Sequence, residues 1–447
     1  MLQGQSRRRR SVGIDVGSTS IKGVCLEDGN LTCLASRPLP PAVAGEAGWH
    51  ELDPTRVLAE VRDVLDAVAS DGVDAIAFTG QMHGGVVTDA RNRPVSSIVT
   101  WQDRRCTDLV REIRGRTQPS AWDGLGCDLQ SGFLGATVAW FVERGFLPES
   151  GWRIHGIYEW LAGQLLGVDP YTDPSSAAAW GLYDIRRCNW NREALEACHV
   201  ADAALPLLVE SGDPVGRATL GKATGALVVS GVGDTQASFL GAGCASGDLG
   251  VNFGTGSQLL WLSDTFVRYA GTDVRPFFSR YLVTVPTLAG GAAYACLADF
   301  YADVLRVFGA GVPPRERLYQ VMNHEAAVAL CEGVVVSPFF NGSRTHGETL
   351  RASIGGLDAR NFRPGNVTRA LLTGLVEELA EPYFAISPPR RHSGLVGSGN
   401  GLRRNEVLRT IVAERFKLPL RMSPHEEEAA FGAARIAAGD VPRWADG

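Results

Sequence analysis

The chain has 447 residues, 45% of them hydrophobic, which is enough apolar material for two cores and long for one compact domain. A net charge of −6 gives no global basic field for nucleic acid, and apolar runs such as Ala226–Val232 are too short to span a bilayer. Nine scattered cysteines without a C-x-x-C pair favour reduced thiols over a disulfide frame or a zinc site, and no signal-peptide core follows the N-terminus, so the expectation is a soluble cytoplasmic protein.

In chain order, Arg7–Arg10 reads as a solvated stretch closing a disordered tail over residues 1–10. Val12, Ile14 and Val16 then alternate as a strand that runs into Gly17-Ser18-Thr19-Ser20. Ile21–Leu26 and Leu31–Leu34 are joined by the hairpin signal Asp28-Gly29-Asn30. Leu58, Val61, Val64, Leu65 and Val68 have helical spacing, ended by Asp71-Gly72. Val73–Phe78 is the next strand, leading into Thr79-Gly-Gln-Met-His-Gly84, and this alternation fits a doubly wound α/β fold. Gln81, Met82, His83, Trp101, Asp103 and Arg104 follow strands of the first half; together they offer hydroxyl partners and an apolar wall suited to a polyol.

Ala226–Val232 is a buried-strand run that ends at Gly233-Asp234. Asp234 can serve as a helix N-cap or as a carboxylate that takes a proton from an alcohol during phosphoryl transfer. Leu249–Phe253, the turn Gly254-Thr255-Gly256-Ser257 and Leu259–Leu262 form a second strand–turn–strand unit. Gly13-Ile-Asp-Val-Gly-Ser-Thr-Ser20 and Gly250-Val-Asn-Phe-Gly-Thr-Gly-Ser257 thus repeat half a chain apart, which predicts two related domains, 11–244 and 245–447, facing across a cleft. Turns of small hydroxylated residues let backbone N–H groups approach phosphate oxygens, and the matched pair predicts a nucleotide clamp. Asp15, ahead of the first turn, is placed to hold Mg²⁺ or to be only a strand-end residue; Lys22 is either a phosphate contact or a solvated hairpin residue.

Two apolar stripes, Val367–Leu379 and Val407–Phe416, predict helices in the second half. Gly397-Ser-Gly-Asn-Gly401 between them is a third glycine-rich turn. Ser423-x-x-Glu426 with Pro424 reads as the capped start of a last helix that Gly439 closes. Two near-motifs fail: Gly216–Ala223 resembles a P-loop but has Ala223 at the hydroxyl position and leads into a strand, and His324-Glu325 lacks a second zinc-ligand histidine.

Taken in this order, the motifs resemble the FGGY family of carbohydrate kinases. The resemblance rests on Gly13–Lys22, Gly80-Gln-Met-His-Gly84, Trp101-Gln-Asp-Arg104, Gly233-Asp-Thr-Gln-Ala237, Asn252–Ser257 and Gly397–Gly401, and it spans nearly all of residues 11–440. It implies an α/β fold of two ribonuclease-H-like, actin-like ATPase domains around a central cleft, with ATP, Mg²⁺ and a small sugar as ligands and compatibility with a homodimer. By position it implies Asp234 as general base, Gln81, Met82, His83, Trp101 and Asp103 as sugar contacts, and Asp15 as the metal residue. It also implies Gly17, Ser18, Thr19, Ser20 and Lys22 in the first phosphate loop, Gly254, Thr255 and Gly256 in the second, and Gly399, Asn400 and Asn405 at adenosine. Within the family, Ile98–Asp103, Ser131–Thr137, Ser176–Gly181 and Val367–Leu371 resemble the sedoheptulokinases, with xylulose and other polyol kinases as the alternative. A departure is Thr137, ahead of Trp140, where the family usually has lysine.

Overall fold

The computed structural model of the protein describes residues 9–69, 72–343, 349–386 and 392–441. Two six-stranded sheets dominate it. The first begins with an antiparallel meander of β1 (Arg10–Val16), β2 (Ser20–Glu27) and β3 (Asn30–Pro38). Asp28 and Gly29 join β2 to β3 with φ of 48° and 82°, the twist a two-residue hairpin needs. β4 (Ala75–Gly80) runs parallel to β1 on its other side, and β5 (Pro214–Arg217) and β6 (Leu227–Val229) complete the edge, β6 parallel to β4. A parallel pair requires a crossover. Helix α1 (Pro54–Val68) supplies it, with Asp53 capping the amide of Thr55 and Val57, Val61, Val64, Leu65 and Val68 buried. Between β4 and β5 a separate core spans Val87 to Ala204, centred on Trp122, Phe133, Trp140 and Trp180.

The second sheet repeats the plan. β7 (Asp248–Phe253) and β8 (Ser257–Ser263) form a hairpin, β9 (Asp273–Phe277) and β10 (Arg280–Thr287) add on the β8 side, and β11 (Gly394–Ser398) and β12 (Leu420–Met422) lie parallel beyond β7. The turn that repeats in the sequence therefore sits at the same topological position in both sheets.

Seven helices matter for the site. After α1 come α2 (Asp234–Gly241), α3 (Gly291–Val307), α4 (Pro364–Ile386), α5 (Gly399–Arg404), α6 (Glu406–Phe416) and α7 (Glu428–Ala437). α4 and α6 are the two expected stripes, and they bury Leu371, Leu375, Leu379, Leu408 and Val412 in the second core.

α2 and α7 lie between the sheets, where Ala77, Phe239, Leu240, Leu260, Leu262, Val396, Ala433 and Ile436 share one apolar cluster. Their backbones meet almost directly. A Cβ on Gly241 would stand 1.8 Å from the Glu428 carbonyl oxygen, one on Gly432 2.0 Å from that of Ala237, and one on Gly13 2.1 Å from that of Ala430. Only glycine fits such approaches.

Three expectations change. The boundary at 244 does not keep all later elements in the second half, because α7 packs on β1, β2 and β4 of the first sheet. The tail over 1–10 is shorter than expected at its end: Arg10 opens β1, with its amide bonded to Asp74, and the Arg9 amide bonds Asp28. Residues 1–8 and the helix-ending Asp71 lie outside the described residues. The last helix starts at Glu428 and Ser423 does not cap it; the Ser423 hydroxyl is engaged with His425, and its amide bonds the Gly397 carbonyl. Gly439 does close α7, with φ of 73°.

Candidate active site

The two small-residue turns face one cavity of about 710 Å³ between the sheets, lined by Gly17, Ser18 and Thr19 on one side and Gly254, Thr255 and Gly256 on the other. In the first turn Gly17 donates to the Ser20 carbonyl at 3.1 Å. In the second, the Gly254 and Thr255 carbonyls accept from Gly291 and Ala292 at 2.9 and 3.0 Å, so the turn is seated on amides that open α3. Asp15, Asp234, Trp101, Arg104, Asn252 and Ser398 also face this cavity.

A smaller cavity of about 170 Å³ adjoins it. Gln81, Met82, His83, Asp273, Arg275 and Thr284 line it alone, whereas Ser18, Trp101, Asp234, Thr235, Gln258 and Pro286 line both. Asp234 therefore stands where the two spaces meet.

Asp234 is the first residue of α2, and Gly233 is the N-cap. One carboxylate oxygen accepts from the Thr235 amide at 2.7 Å and hydroxyl at 3.3 Å; the other has no hydrogen-bond partner among the described residues. The segment before it is clamped twice. Thr79 donates its hydroxyl to the Val232 carbonyl at 2.6 Å, and the Gly233 amide donates to the Ser175 hydroxyl at 2.9 Å. Ser175 in turn donates to buried Asp173, which also accepts from the amides of Ser175 and Ser176 and the hydroxyl of Ser211. Met82 packs over the same segment, and a Cβ at Gly233 would fall 2.0 Å from its sulfur.

Charge is crowded here. Burial, and secondarily the Asp234 carboxylate, push Asp15 up to about 8; Lys22 pulls the other way. Burial raises Asp234 to about 6, against the lowering bonds from Thr235. One oxygen of Asp15 is buried without a hydrogen-bond partner.

The remaining expected residues divide. His83, at φ of 77°, stacks on Phe133 with ring centroids 4.3 Å apart and bonds the Ala179 carbonyl. Gln81 reaches the Gly17 carbonyl, and the Trp101 indole donates to Ser18 at 3.1 Å, which joins the small cavity to the first turn. Ser20 contributes its carbonyl to that turn. Lys22 is ion-paired with Glu427 and lines neither cavity. Gly399 and Asn400 open α5 behind the wall residue Ser398.

Two residues are not where the resemblance put them. Asp103 is fully buried and lines neither cavity, and its oxygens are taken by the Arg105 guanidinium and amide and by the His50 amide at 2.7 Å. Asn405 caps α6 through the Leu408 amide and bonds Asn323, so its side chain is used up away from the cavity. Thr137, the family departure, is buried within its helix. The sequence reading missed Gln258, Asp273, Arg275 and Thr284, which the second sheet contributes to the small cavity, and the seat at Gly290-Gly291. A diglycine just before a helix was the available signal for the seat; strand residues of ordinary composition gave none for the others.

Two sheets built on the same five-strand order, each presenting a small-residue turn to a shared cleft, define the actin-like ATPase class of fold. The chain belongs to the FGGY family of carbohydrate kinases, whose N-terminal domain matches residues 11–241 and whose C-terminal domain matches residues 283–439. It is accordingly an ATP-dependent sugar kinase. It is 29% identical to the sedoheptulokinase of Mus musculus across 95% of this chain and 96% of that protein. It is also 26% identical to the xylulose kinase of Lactococcus lactis, across 96% of this chain and 87% of that one. Among solved structures, xylulose kinase from Rhodospirillum rubrum superposes with a TM-score of 0.86 at 22% identity, over 97% of this chain and 91% of that one. Plasmodium falciparum glycerol kinase with ADP does so with 0.84 at 18% identity, over 98% and 90%. Among the described residues no helix is long and apolar enough to cross a membrane.

Proposed function

We propose that the protein transfers the γ-phosphoryl of ATP to the terminal hydroxyl of a ketose, converting sedoheptulose to sedoheptulose 7-phosphate. The observation that carries this is the position of Asp234 at the junction of two cavities, one faced by both small-residue turns and the other by Gln81, Met82 and His83. Likeness to the mouse and human sedoheptulokinases, at 29% and 27% identity, favours sedoheptulose over xylulose.

On this reading the triphosphate lies between Gly17–Thr19 and Gly254–Gly256, and the sugar lies against Met82, His83 and Trp101. Phosphoryl transfer needs mainly positioning and charge neutralisation, so one carboxylate suffices as base. Asp234 accepts the proton of the sugar hydroxyl as the oxygen–phosphorus bond forms. At about 6 its acidity leaves it ionised at neutral pH and still basic enough to act. The clamp from Thr79 and Ser175 fixes where that carboxylate stands, and a sugar filling the small cavity displaces water that would otherwise be phosphorylated.

Asp15 fits a Mg²⁺ site. Its carboxylate is buried, has an oxygen without a hydrogen-bond partner, and resists ionisation because of its burial and the neighbouring Asp234 carboxylate, both of which a cation would offset. Among the described residues no group of three or more ligating side chains exists, so most of the ion's shell would be phosphate and water oxygen, as Mg²⁺ prefers. When bound, the ion would neutralise phosphate charge.

The test is ADP release by purified protein with ATP and a panel of ketoses and polyols of three to seven carbons. Sedoheptulose is expected to give the highest kcat/KM. A higher value for xylulose or glycerol would refute the sugar assignment, and ADP release indifferent to every sugar would refute the reading.

A further inference from the structure

We infer that Asp273 and Arg275 read the end of the sugar remote from the phosphorylated hydroxyl, and so make the enzyme select longer neutral ketoses over short polyols; this rests on the sugar-kinase reading above. The argument is one of register. On β10, Pro286 pairs with Gln258, and both residues belong to both cavities, which places them at the junction beside Asp234. Two residues along, Thr284 pairs with Asp273; two further, Leu282 pairs with Arg275. Alternate residues of a strand and their cross-strand partners share a face, so Gln258, Pro286, Thr284, Asp273 and Arg275 form one wall. At roughly 3.3 Å per residue, Asp273 lies about 7 Å beyond the junction and the Arg275 backbone about 13 Å beyond it. A three-carbon polyol held at Asp234 ends before this part of the wall. A five- to seven-carbon chain extends along it.

The chemistry of the pair suits a ketose. Arg275 is 4% exposed, and its guanidinium bonds only the Cys127 sulfur at 3.0 Å and the adjacent Val274 carbonyl at 3.4 Å; among the described residues it has no ion pair. A buried guanidinium with unused donors calls for oxygen acceptors. Asp273, partly exposed and with no hydrogen bond to its carboxylate among the described residues, supplies the acceptor for a hydroxyl beside them. One positive and one negative side chain leave the wall neutral, which suits an uncharged chain of carbonyl and hydroxyl groups over a sugar acid. The wall is fixed in place, because the Val274 amide between the two residues donates to the Gly126 carbonyl of the first half at 2.7 Å.

The test is steady-state kinetics of the full chain and its Asp273→Asn and Arg275→Lys variants, on the longest and the shortest sugars that the unaltered protein turns over, with an aldonate of equal length beside them. Expected is a loss of roughly 10- to 100-fold in kcat/KM for the long ketose, carried mainly by KM, with less than about a twofold change for the short substrate. Asp273→Asn, on a partly exposed residue, keeps the test sound if Arg275→Lys fails to fold. Equal losses on short and long substrates, no loss on the long one, or a preference of the unaltered protein for the aldonate would each overturn the inference. Absence of sugar-dependent ADP release from the unaltered protein would instead overturn the kinase reading and the inference with it.

Discussion

Replacing Asp15 with asparagine should make the protein more stable in alkaline solution and nearly inactive. In the folded chain this carboxyl titrates at about 8, against an ordinary 3.8. The folded state therefore keeps a proton that the unfolded state has shed, so stability falls as pH rises from near 4 to near 8. At about 1.36 kcal/mol per pH unit the full cost is at most ~6 kcal/mol, and ~4 kcal/mol of it accrues between pH 5 and pH 9. Asparagine cannot ionise, and the variant loses that slope. Thermal unfolding of both proteins without nucleotide or divalent cation, at pH steps from 5 to 9, measures it. The unaltered protein should lose several degrees of Tm relative to the variant across the range, while the Mg²⁺-ATP-induced rise in Tm should survive only in the unaltered protein. Parallel Tm curves would show that Asp15 is ionised in the empty cleft and would remove the charge argument for a cation beside it.

Four further outcomes are expected. Asp234→Asn should lower kcat roughly 10²- to 10⁴-fold with sugar, and in the unaltered protein kcat should fall as pH drops through about 6, where Asp234 takes up its proton; an unchanged pH–rate profile between 5 and 7 would speak against it as base. Ser175→Ala removes the acceptor of the Gly233 amide and should lower kcat at nearly constant KM, with partial recovery in Ser175→Thr. Asp103→Ala removes the carboxylate that accepts from two nitrogens of the Arg105 guanidinium, 1% exposed, leaves Glu51 as its ion-pair partner, and should cost about 1–3 kcal/mol in urea unfolding while KM for sugar stays near its original value. Gly432→Ala forces a methyl group to within 2.0 Å of the Ala237 carbonyl and should destabilise by about 1–3 kcal/mol, read in the same unfolding experiment.

Where local chemistry and global fold agreed, the sequence was easily read. The hairpin at Asp28-Gly29, the stripes of α4 and α6 and the paired turns each combine a period with a turn residue, and all appear in the structure. The Ser423 cap was misread because a strand end competes for it: the Ser423 amide bonds Gly397 and its hydroxyl turns to His425. Asp103 and Asn405 have the right residue types in the right motifs, yet a neighbouring arginine and a helix amide respectively claim their polar atoms. No spacing rule reports that competition. Asp273 and Arg275 were invisible for another reason: they become neighbours of Met82 and His83 only after two sheets nearly two hundred residues apart meet.

The placement of α7 has a consequence for how the molecule is made. β1 precedes α7 in the chain, so the glycine notch at Gly13 that receives Ala430 and Ala434 stays unfilled until more than four hundred further residues have been made. Domains ordinarily mature in the order of synthesis. Here the first sheet has one bare flank until α7 is made, and α7 seals it while also bridging to the second sheet. The join between the two walls of the cleft is thus complete only once α7 is in place, and a nascent chain that stops short of Glu428 lacks one of the two helices that pack between them.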